Sequence, residues 1–81
     1  MARALHMIDR HVDQAERATY LAALPARQAR AAAVPAHFWV FEHAATAGHF
    51  LEFTEAASAE LLAQALGVEA VTDCWQEVRG A

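Results

Sequence analysis

Apolar residues recur at every second position in several stretches of this chain, and two stretches of helix-forming composition separate them. Residues 4–12 (ALHMIDRHV) read as an extended segment. Leu5 and Met7 fall on one face of it, and His6, Ile8, Arg10 and Val12 on the other. Residues 16–33 are almost all Ala, Leu, Arg, Gln and Glu, which are strong helix formers. Asp13 stands where an N-cap belongs, with Glu16 in capping-box position. Tyr20, Leu21, Leu24 and Gln28 share one side of this helix, and Arg17, Arg27 and Arg30 are expected in water. Pro25 lacks an N–H and clashes with the preceding turn, so a kink or break is expected near Leu24. Pro35 ends the helical stretch.

Residues 37–43 (HFWVFEH) and 49–55 (HFLEFTE) are dense in aromatic and branched side chains and read as strands. The five residues between them include Gly48, which is free to take a positive φ, so the pair is a predicted hairpin. Ser58 is the expected N-cap of a second helix reaching about Leu66. Leu61, Leu62 and Leu66 form its apolar side, and Gly67 sits at the C-cap position. Residues 71–78 (VTDCWQEV) are the last predicted strand. The order β-α-β-β-α-β is that of a ferredoxin-like α+β domain: a four-stranded antiparallel sheet with both helices on one face.

The hairpin has two apolar faces, which changes the picture. Turning about Thr46 places Trp39 opposite Phe53 and Phe41 opposite Leu51, all on one face. Phe38, Val40, Glu42, Phe50, Glu52 and Thr54 share the other, and a slip of one residue would exchange these assignments on one strand. The wholly apolar face suits the underside of the helices. The mixed face would then need a second cover, for which the expected partner is another copy of the chain, sheet against sheet. Size points the same way. An 81-residue chain is one domain (residues 1–81) with a modest core, yet 57% of its residues are apolar.

The hairpin pattern HFWVFE, turn with Gly48, HFLEFTE, set between two helices, resembles the dimeric α+β barrel superfamily, which includes cofactor-free monooxygenases of antibiotic biosynthesis. The resemblance spans nearly the whole chain as an order of elements, and its specific part is the hairpin. It implies a homodimer of ferredoxin-like subunits with a ligand cleft between sheet and helices or inside the barrel. It also implies monooxygenase-like chemistry on a small aromatic or polyketide-like molecule. The alternative is a small-molecule-binding or structural interaction protein without chemistry. The Asn residues on which the oxygenase and haem-degrading branches rely have no counterpart, since the sequence contains no Asn.

Charge and composition narrow the partners. The net charge is −4, with six Arg and no Lys, which argues against nucleic acid and against an anionic membrane. No apolar run approaches a membrane span, no signal-peptide pattern opens the chain, and the single Cys74 excludes an internal disulfide, so a cytoplasmic protein is expected. Glu42 and Glu52 on the mixed face are the candidate general acid and base, because burial there would raise a carboxyl pKa. The other reading pairs them with arginines. His6 is the third candidate, near Glu52 if its face lines the barrel; otherwise Asp9 and His11 take its place. Phe38, Val40, Phe50, Thr54 and Arg10 would contact a substrate. Trp39, Trp75, Tyr20 and Phe53 form either an aromatic pocket or core. His43 and His49 could meet across the turn near Glu42, but no metal-binding spacing supports a site. Neither a metal nor another cofactor is expected.

Overall fold

The computed structural model describes residues 3–78. Its elements are β1 (Ala4–His11), α1 (Gln14–Ala33), β2 (His37–Glu42), β3 (His49–Ala56), α2 (Ala59–Leu66) and β4 (Trp75–Gln76). They form a small α+β domain whose four strands lie in the order β2-β3-β1-β4, every pairing antiparallel. This architecture is compatible with a ferredoxin-like fold. No helix among the described residues is long and apolar enough to cross a membrane.

The hairpin turns about Thr46. Trp39 pairs with Phe53 and Phe41 with Leu51, and the Gly48 φ is +85°. α2 begins as the sequence dictates, with the Ser58 hydroxyl accepting from the Leu61 N–H at 3.2 Å. It ends at Gly67 with φ +72°, whose N–H closes onto the last turn.

Three local expectations hold only in part. α1 runs unbroken through Pro25, which is solvent-exposed on its outer side. Asp13 occupies the N-cap position, but its side chain makes no capping hydrogen bond. The last strand is only two residues long, pairing Trp75 with Leu5 and Gln76 with Ala4. Residues 71–74 do not join the sheet because the polar Thr72–Asp73 pair forms a bend just before it.

The larger correction concerns the faces. Both helices cover the mixed face. Phe50, Glu52, Thr54 and Ala56 of β3 are buried beneath them, together with Ala4 of β1. The wholly apolar face is the one left open. The reason lies in α1, whose inward stripe is Arg17, Tyr20, Leu24, Arg27 and Ala31. A stripe carrying two guanidiniums and a phenol needs carboxylates opposite it, and the mixed face places Glu42 and Glu52 there. Near Ala4 the core is built from Ala31, Ala36, Ala56, Leu62 and Ala65. Such small residues let helix and sheet approach closely.

Candidate functional site

Glu52 is the centre of the helix–sheet interface. It points from the middle of β3 toward α1, and its side chain is 2% exposed. Burial alone would push its carboxyl up. Hydrogen bonds outweigh that effect. Arg27 donates to both oxygens at 3.1 and 2.8 Å, the Tyr20 hydroxyl donates at 2.5 Å, and Arg10 Nε donates at 3.0 Å. The carboxyl is held down at about 2, while burial and its bond to Glu52 push the Tyr20 phenol up to about 12. Tyr20 therefore stays a proton donor across the physiological range. Its ring leans on Phe50, with centroids 4.6 Å apart, and the Arg27 guanidinium lies 4.7 Å above the Phe38 ring.

Glu42, at the end of β2, forms a second and separate anchor. Arg17 Nε donates to it at 3.0 Å and the Gly48 N–H at 2.8 Å, and a second Arg17 nitrogen completes a fork. The hydrogen bonds from Arg17 lower this carboxyl to about 2. Arg17 and Arg27 are thus not solvated arginines, as their sequence context suggested. They are the helix-side halves of two ion pairs, and Arg30 reaches the Leu66 carbonyl at 3.4 Å. Both carboxyls shift in the direction opposite to the one a general acid at neutral pH needs.

The remaining candidates sort by face. His6 lies on the helix-covered face opposite Thr54, one pair along from Ile8–Glu52, and Glu52 takes its hydrogen bonds from Arg10, Tyr20 and Arg27 instead. Phe38, Val40, Phe50 and Thr54 line the same side and pack under the helices. Arg10 does reach a cleft. Between the end of β1 and the first turns of α1 lies a hollow of about 570 Å3, lined by Arg10, His11, Val12, Asp13, Glu16, Thr19, Tyr20 and Ala23. Two of its lining residues, Arg10 and Tyr20, donate to Glu52. The lining carries both signs of charge, a hydroxyl and a phenol, and suits a polar organic molecule better than an apolar one.

The open sheet face was not anticipated in this position. Its centre consists of Leu5, Met7, Trp39, Phe41, Leu51, Phe53 and Trp75, with Trp39 45%, Phe41 58% and Trp75 56% exposed. Phe41 meets Phe53 edge to face at 5.8 Å. At one end the Arg3–Glu55 ion pair borders the patch, and at the other stand Asp9, His11 and His49. Tyr20 points from α1 onto Phe50 on the helix-covered face, so it does not share an aromatic pocket with Trp39, Phe53 and Trp75. Cys74 is half-buried against the alanine-rich core. His49 stacks on His43 at 5.6 Å, but the carboxylate it meets is Asp9 rather than Glu42. The register that pairs His11 with His49 was the signal for that grouping.

The chain matches no family model, no curated protein and no solved structure.

Proposed function

We propose that this protein is a homodimeric, ferredoxin-like α+β barrel protein that binds a small polar organic molecule in the cleft between β1 and α1. The open sheet face carries the reading. Its apolar centre and charged ends have the anatomy of a protein interface, apolar within and polar at the rim. Four of its seven large apolar side chains, Met7, Trp39, Phe41 and Trp75, are exposed on one face, a contiguous apolar patch of the kind that marks an interaction site. A second copy presenting the same face covers them by a two-fold axis and completes a barrel. The partner surface is therefore Trp39, Phe41, Leu51 and Phe53, not the Phe38, Val40 and Phe50 set that the sequence suggested.

Binding is the better-supported role for the cleft, because Glu42 and Glu52 are each neutralised by arginine and offer no carboxyl poised near neutral pH. A cofactor-independent, monooxygenase-like activity on an aromatic or polyketide-like molecule is the second reading. It is favoured by Arg10 facing the cleft, whose guanidinium carries N–H groups beyond the two that face Glu52 to offer a developing enolate, whereas the Tyr20 proton is already given to Glu52. Thermal-shift and calorimetric titration with hydroxylated aromatic acids and an anthrone test both. Binding that raises Tm in the native chain and disappears in Ala23→Trp, which fills the cleft from α1, supports the site. Unchanged ligand then favours binding alone, and oxygen uptake with ligand turnover favours the oxygenase. No shift across the panel, or equal binding by Ala23→Trp, contradicts the cleft as the binding site.

A further inference from the structure

We propose that Asp9, His11 and His49 bind one divalent transition-metal ion of the zinc class per chain. The three side chains project from the open face at its hairpin end. Asp9 and His11 are two residues apart on β1, hence on the same side of the strand, and His49 is the direct cross-strand partner of His11. The Val12 N–H bonds the Gly48 carbonyl at 2.8 Å, which makes the adjacent His11–His49 pair the non-hydrogen-bonded kind, in which side chains approach most closely. The two imidazoles accordingly stack at 4.2 Å.

Their donor atoms converge on one carboxylate. Asp9 Oδ1 lies 2.7 Å from His49 Nε2 and 3.8 Å from His11 Nε2. One donor atom from each residue lies within 4.8 Å of the others. Zinc–nitrogen and zinc–oxygen bonds of about 2.0–2.2 Å place tetrahedral donors roughly 3.4 Å apart, so side-chain rotations of about an ångström bring all three onto one ion. Two imidazoles and a carboxylate are a donor set of intermediate softness that suits zinc, cobalt or nickel rather than calcium or magnesium. Strands β1 and β3 pair without a break from Ala4–Ala56 to His11–His49, so all three ligands stand on one continuous ladder. Three protein ligands leave a position for water, beside a hollow of about 160 Å3 lined by Asp9, Phe41, Glu42, His43, His49 and Leu51. His43 is not a ligand in this arrangement. Its Nδ1 accepts from the Ala45 N–H at 3.0 Å, which leaves Nε2 carrying the proton in the neutral ring.

The test is calorimetric titration of the tag-free chain with Zn2+, and optical titration with Co2+, whose visible bands report the coordination number. The expected result is one ion per chain. His11→Ala and Asp9→Asn should each weaken binding by at least about tenfold. Both positions are exposed, so circular dichroism should show an unchanged fold. His43→Ala should bind as the native chain does. A stoichiometry far below one, full binding by His11→Ala, or loss of binding in His43→Ala would overturn the assignment.

Discussion

Replacing Glu52 by Gln tests the electrostatic centre of the fold. Gln has the shape of a protonated Glu but cannot ionise, so the variant should lose the stability that ionisation of Glu52 contributes. The carboxyl sits at about 2 in the folded chain against an ordinary value of 4.5, held there by Arg27, Tyr20 and Arg10 against the opposing effect of burial. At about 1.4 kcal/mol per unit, that difference is roughly 3 kcal/mol near neutral pH. Because the folded pKa is depressed, this stability is fully present above the unfolded value. It declines as pH falls through 4.5 toward 2. Urea unfolding at pH 7, at fixed protein concentration, should therefore give Glu52→Gln a deficit of about 3 kcal/mol, a large part of the stability of a domain this size. Near pH 2.5 the two proteins should nearly converge. A variant as stable as the native chain at pH 7 would refute the reasoning, as would a deficit that does not shrink in acid. The first result would mean that Arg10 and Arg27, both partly exposed, find equivalent partners in water.

Two substitutions test the local geometry. Gly48→Ala should destabilise by more than about 1 kcal/mol in urea unfolding, because the backbone is at φ +85° and an added Cβ would collide with the Val12 carbonyl. Ser58→Ala removes the hydroxyl that caps α2 and should cost about 1 kcal/mol, while a Ser58→Asp replacement should restore most of it. Equal stability of Gly48→Ala and the native chain would contradict the turn geometry, and equal stability of Ser58→Ala would contradict the cap.

Much of this architecture was legible from short-range chemistry. Ser58, Gly67, Gly48 and the alternation in residues 37–55 each act within a few residues, so the elements and the hairpin register follow from them directly. The choice of face does not, because it depends on matching two distant segments. Trp39, Phe41, Leu51 and Phe53 look more core-like than Phe50, Glu52 and Thr54 when the strands are read alone. What reverses that judgement is Arg17, Tyr20 and Arg27 on the inner stripe of α1, which need Glu42 and Glu52 opposite them. Helix periodicity read for apolar residues alone passes over that stripe. The same blindness hid the Asp9–His11–His49 grouping, since only the pairing of β1 with β3 brings residues forty positions apart together. The short β4 shows the opposite case, in which a strand-like composition in residues 71–78 lacked a pairing partner along most of its length.

The mass of the protein in solution, by size-exclusion chromatography with light scattering, tests the central claim that the open sheet face is an interface between two copies. The account predicts twice 8.8 kDa, persistent on dilution, and a folded monomer for Phe41→Glu, which places a charge at the most exposed aromatic of the face. A native chain that runs as a monomer, or a Phe41→Glu variant that remains a dimer, would contradict it.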